Sequence, residues 1–295
     1  MQYVGTENGI GRGRCTALLA ASIVLLSSIS TMPSAFAADK LNDLLPERIR
    51  QAGEIHVASN AAYPPFAFKD EAGNASGLES ALIRAMAEKL DIKVKFTSID
   101  FPSILPGVSA GRFDVGSGGF NNTEERRKIV EFVNYASAVS GIIVQKGNPA
   151  KISLDGLCGK SIAASEGSAQ RVNLGLLSEK CQAQGKPAID MPTLKGTPAM
   201  VVALKSGRVE GVYIDKAVGG YLVTRDSAVE ALPGVVANPD GSTVVMGILM
   251  KKGDMQLAKA LQAGLNAAIK DGTYAKIMKE WNIADDVQLK EATVN

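Results

Sequence analysis

The chain has 295 residues, 32 of them basic and 30 acidic, with 46% hydrophobic and 5% aromatic residues. Setting aside a leader at residues 1–37, which carries Arg12, Arg14 and Glu7, leaves 258 residues at a formal charge of +1. That length buries one large core or two smaller ones. Near-neutrality offers no electrostatic footprint for nucleic acid or an anionic membrane surface, and the apolar content excludes a disordered chain. A single histidine argues against a multi-histidine metal site or a histidine-based triad, so no cofactor is expected.

The leader comes first in chain order. Arg12 and Arg14 precede an apolar run from Cys15 to Leu26, and Ala35-Phe36-Ala37 supplies a small-residue cleavage pattern. Basic, then apolar, then small is the order of a secretory signal peptide, and the run is shorter than a membrane span requires. Export to the periplasm follows as the expected localisation. The exported part keeps two cysteines, Cys158 and Cys181. In an oxidising compartment the pair suggests one disulfide, against two buried free thiols as the alternative.

Beyond the leader, strand-like runs alternate with amphipathic helices, which predicts an α/β protein. Glu54 to Ala58 reads as a strand, followed by a turn at Tyr63-Pro64-Pro65-Phe66. Leu78, Leu82, Met86 and Leu90 recur every four residues and predict one apolar helix face. Lys93 to Phe96 alternates as a strand, Phe101 to Ala110 reads as a helix, and Arg112 to Val115 as the next strand.

A pseudo-repeat organises these pieces. Ile104-Leu105 through Gly111-Arg112-Phe113-Asp114-Val115-Gly116 resembles Val201-Val202 through Gly207-Arg208-Val209-Glu210-Gly211-Val212. Gly141 to Gly147 echoes Gly247 to Gly253 in the same way. Two similar units joined by two similar strands predict two lobes with paired crossovers, leaving the first lobe near Ser140 and returning near Gly247. The expected division is residues 38–140 and 247–295 for lobe 1, and 141–246 for lobe 2.

Ligands of open α/β sheets bind beyond the carboxyl ends of strands, where loops enter helix N-termini. Three such places stand out. After Asp114 and Val115 comes a glycine-rich loop that leads to Thr123, a good N-cap, then Glu124 and Glu125. Arg126 in that first turn opposes the helix dipole, which is better explained if it faces an anion; a solvated helix face is the plain alternative. Lys160 to Ala164 predicts a strand feeding Ser165-Glu166-Gly167-Ser168-Ala169 and a helix whose first amides can hold a carboxylate. Val209 to Asp215 predicts a strand ending in a carboxylate, which can receive an ammonium or merely cap the next helix. A cation with N–H donors, together with an anion, complements a zwitterionic amino acid. Gly116-x-Gly118-Gly119 fits neither a dinucleotide nor a phosphate-loop motif.

Several strings resemble the polar-amino-acid solute-binding proteins of bacterial ABC importers over nearly the whole exported chain. They are Tyr63 to Asp70, Gly77-Leu78-Glu79, Ser109 to Val115, Thr123 to Arg126, Gly167-Ser168, Ser206 to Glu210, Asp215, and Asp271 to Tyr274 through Trp281. The resemblance implies a two-lobed periplasmic-binding-protein fold of type II with two crossover strands, closing on its ligand as a monomeric receptor for a membrane permease. Carried over by position, Arg126 clamps the α-carboxylate with the amides around Ser168 and Ala169. Asp215 and the Gly119 carbonyl take the α-ammonium, Tyr63 and Phe101 sandwich the side chain, and Asn121 adds a polar contact. Asn60 stands where binders of cationic amino acids carry Asp, which points to a neutral polar or acidic ligand. The same scaffold also hosts enzymes resembling cyclohexadienyl dehydratase, for which Glu166 is the one additional cleft carboxylate to nominate as a general acid.

Overall fold

The structure is a computed structural model that describes residues 41–60, 62–236, 244–283 and 287–295. The predicted signal peptide at residues 1–37 lies outside the described residues.

After helix α1 (Glu47–Ala52), the first half of the chain contributes strands β1 (Glu54–Ser59), β2 (Ala62–Tyr63), β3 (Ala67–Lys69) and β4 (Ala75–Ser76). Helix α2 (Leu78–Lys89), strand β5 (Lys93–Ser98), helix α3 (Phe101–Ser109), strand β6 (Val115–Ser117), helix α4 (Glu124–Arg127) and strand β7 (Val130–Ala138) follow. The middle of the chain holds β8 (Ser140–Gln145), β9 (Ile162–Ser165), α5 (Ala169–Ala183), β10 (Thr193–Leu194), α6 (Gly196–Lys205), β11 (Gly211–Asp215), α7 (Lys216–Val223) and β12 (Val229–Ala231). The last part adds β13 (Val244–Lys251), α8 (Met255–Lys270), α9 (Thr273–Glu280) and β14 (Gln288–Val294).

These elements build two larger sheets. One has the order β14-β7-β13-β6-β1-β5 and the other β10-β9-β11-β8-β12, while β2, β3 and β4 form a small antiparallel sheet. The β1 strand lies parallel between β5 and β6, and β11 lies parallel to β9 and antiparallel to β8. Sheet membership changes at Val139, between β7 and β8, and again between β12 and β13.

The four-residue spacing of α2 reads out as expected: Leu78, Leu82, Met86 and Leu90 are all fully buried. They pack with Leu257, Leu261 and Leu265 of α8 in one hydrophobic core. Gly264 permits that approach, because a Cβ there would sit 3.1 Å from the Met86 carbonyl oxygen. Each buried leucine is worth about 2 kcal/mol of transfer free energy. The strand predicted at Arg112 to Val115 begins only at Val115. Asp114 is drawn instead into a side-chain bond from Oδ2 to the His56 amide at 2.9 Å and an ion pair with Arg48. His56 itself stands on a half-exposed strand face, 2.9 Å from Glu54. Trp281 closes α9 and meets Phe68 edge-on at 5.7 Å. Cys158 and Cys181 are joined in a disulfide that ties the segment before β9 to the end of α5.

Candidate functional site

The carboxyl ends of β6, β9 and β11 point their following loops at one cleft of about 420 Å³, mouth included. Eight of the nine residues expected to bind ligand line it: Asn60, Tyr63, Phe101, Gly119, Asn121, Arg126, Ser168 and Ala169. The ninth, Asp215, is 2% exposed and sits just behind the lining, bonded to two residues that belong to it, Tyr63 and Gln170.

Arg126 is placed by the local sequence. Thr123 caps α4, its Oγ1 accepting the Arg126 amide at 3.4 Å, and so fixes the side chain at the cleft. The guanidinium donates from Nη1 to the Asn121 carbonyl at 2.8 Å and from Nη2 to the Gly167 carbonyl at 2.9 Å. It lies over the Phe120 ring at 5.1 Å and the Phe101 ring at 6.0 Å, and those two rings stack at 4.5 Å. Burial lowers the Arg126 pKa to about 10, so the group stays charged at neutral pH, and Asp215 favours that charge. No ion pair joins Arg126 directly to Asp215 among the described residues.

Asp215 occupies the N-cap position of α7 but makes no side-chain cap bond there. Its Oδ1 accepts from Gln170 Nε2 at 2.9 Å, and its Oδ2 accepts the Tyr63 hydroxyl from the opposite side of the cleft. Burial raises the Asp215 pKa to about 6, opposed by the Tyr63 bond and by the Arg126 charge. The plain alternative, a helix cap, therefore does not describe this carboxylate.

Between them, Ser168 caps α5, its Oγ accepting the Arg171 amide at 3.1 Å, which leaves Ala169 as the first helical residue. Gly119 has a positive φ of +75°, and a Cβ there would collide with the Tyr63 ring. The amides of Gly118 and Gly119 both donate to Glu79, which is fully buried behind the loop. Glu166, the nominated general acid, is exposed and lies outside the cleft lining. Sequence reading missed Phe120, Gln170 and Thr197. Gln170 is two residues beyond the Ser168 cap, so the first turn of α5 was the signal that could have found it.

The chain matches the family described as bacterial extracellular solute-binding proteins, family 3, over residues 55–284. It is 28% identical over 259 residues to the arginine-binding protein ArgT of Corynebacterium glutamicum, covering 87% of this chain and 83% of that protein. It is 26% identical over 279 residues to the L-cystine-binding protein TcyJ of Escherichia coli, covering 94% and 97% of the two chains. The structure of an ancestral arginine-binding protein bound to glutamine superposes with a TM-score of 0.68 at 33% identity, covering 79% of this chain and 99% of that one. The α/β architecture is accordingly that of the two-lobed periplasmic binding proteins. The chain belongs to the bacterial extracellular solute-binding proteins of family 3.

Proposed function

We propose that this protein is an extracytoplasmic receptor that binds a free amino acid between two lobes and delivers it to the permease of an ABC importer. One observation carries the reading: a half-buried guanidinium and a buried carboxylate reach one cleft, Arg126 from α4 beside the six-stranded sheet and Asp215 from β11 of the five-stranded sheet. A zwitterion supplies the counter-charge each of them lacks, since burying a charge is tolerable only when it is paired. Arg126 and the α5 amides at Ser168 and Ala169 hold the α-carboxylate. Asp215 and the Gly119 carbonyl hold the α-ammonium, Tyr63 and Phe101 flank the side chain, and Asn121 completes the polar lining. The relatives named as arginine- and cystine-binding proteins support an amino acid as the ligand class.

The lobes are residues 38–140 with 247–295, and residues 141–246, a division supported by the change of sheet at Val139. Closure is then a population shift, driven by the ligand's contacts with both lobes in the closed form. Residues 1–37 act as the export signal to the periplasm, and the receptor works as a monomer that does not bind nucleic acid.

A thermal-shift screen of the amino acids tests the reading. A ligand present at about a hundred times its Kd adds roughly 2.7 kcal/mol of stability and raises the melting midpoint. Arg126→Ala and Asp215→Ala each remove that shift while the unliganded proteins still melt cooperatively. Tight binding retained in either variant overturns the site, and consumption of prephenate or arogenate by the wild type overturns the receptor in favour of an enzyme.

A further inference from the structure

Thr197 stands in the cleft with its hydroxyl unpaired. The residue is 3% exposed, and its Oγ1 is a buried oxygen with no hydrogen-bond partner among the described residues. Buried hydroxyls are nearly always bonded, so an orphan in a cleft wall marks where a ligand atom belongs. Thr197 is also the second residue of α6, and Lys195, at the N-cap, provides no side-chain cap. The first-turn amides of Gly196 and Thr197 have no acceptor within the helix, and they carry the positive end of its dipole. On the facing side, α6 packs against β2. Just before β2, Asn60 Oδ1 accepts the Ala62 amide at 3.2 Å, which leaves Nδ2 for the cleft that Asn60 lines.

This corner is rich in donors and holds no acid. Arg126 is the one charged side chain among the described lining residues, and it is matched by the α-carboxylate as Asp215 is by the α-ammonium. A cationic side chain would meet the positive end of α6 with no counter-ion. An acidic one would add a buried negative charge that no cation in the lining balances. A carboxamide is neutral: its oxygen accepts from the α6 amides and Asn60, and its NH₂ donates to the Thr197 hydroxyl.

We infer that Thr197 and the N-terminus of α6 form the subsite for the distal group of the ligand, and that this group is a side-chain carboxamide. The inference rests on the reading of the cleft as an amino-acid site. Calorimetry on the full-length protein with glutamine, asparagine, glutamate, arginine and methionine tests it, using Thr197→Val and Thr197→Ser. The wild type should bind a carboxamide amino acid more tightly than the other three ligands. Thr197→Val should weaken that complex about tenfold and change any methionine binding by less than about twofold. Thr197→Ser, which keeps the hydroxyl, should retain the wild-type order. A wild-type preference for arginine or glutamate, or carboxamide binding untouched by Thr197→Val, overturns the subsite and leaves the amino-acid receptor standing. Binding of no amino acid at all overturns the receptor reading and the subsite with it.

Discussion

Two buried carboxylates, Asp215 and Glu79, look alike and do different work. Each is almost wholly removed from water and each accepts a tyrosine hydroxyl, from Tyr63 and Tyr135 respectively. Burial raises both pKa values, to about 6 for Asp215 and about 7 for Glu79. Their remaining partners separate them. Glu79 also takes the amides of Gly118 and Gly119, so every partner belongs to the part of the chain that builds the six-stranded sheet. Asp215 takes Gln170 from its own side and Tyr63 from across the cleft. A bond across a cleft breaks when the cleft opens, whereas one within a wall does not. Glu79 is therefore a fixture that shapes the glycine loop, and Asp215 is a group whose partner a ligand can supply.

The same isosteric change should give opposite results at the two sites. On the proposed role, Asp215→Asn removes the charge that meets the ammonium, and affinity by calorimetry should fall at least about a hundredfold. Glu79→Gln faces only neutral donors and should leave affinity within about threefold. Equal losses would erase the distinction. Next in size, Glu79→Ala strands the two glycine amides and should lower unfolding stability by about 2 kcal/mol in denaturant titration, where no change would show that the loop is held by other contacts.

Acidity sharpens the comparison further. Both folded-state pKa values lie above the ordinary carboxylate range, so the folded protein holds these protons more tightly than the unfolded chain. Their stabilising contribution is complete below about pH 4 and is lost as pH rises through about 6 for Asp215 and about 7 for Glu79. On the proposed role of Asp215, ligand affinity runs the other way, because an ammonium partner needs the carboxylate ionised. Below about pH 6 the Kd should rise up to about tenfold per pH unit, and a flat profile from pH 7 to 5 would contradict this role. A small effect belongs to Tyr63→Phe, which removes one of the donors to Asp215 and should weaken binding about threefold in the same titration.

Much of the fold was legible because it is periodic. The α2 stripe, the strand at Glu54 and the strand ending at Asp215 follow from spacing alone. Eight of the nine residues chosen for the site line one cleft, since loops after parallel strands gather at one sheet end. Local pattern did not disclose pairings across long stretches of chain. The late start of β6 comes from Asp114 bonding to the His56 amide, and the Tyr63–Asp215 contact joins residues 152 positions apart. Thr197 escaped notice because Gly196-Thr197-Pro198 reads as an ordinary helix start, and only the finished cleft shows its hydroxyl without a partner.

The claim beneath all of this is that both charged ends of an amino acid are gripped at once. Calorimetry with the tightest ligand found, its analogue lacking the amino group and its analogue lacking the carboxylate measures this directly. Each deletion should weaken binding at least about a hundredfold, the amino deletion through Asp215 and the carboxylate deletion through Arg126. Either analogue binding as tightly as the parent would contradict the account.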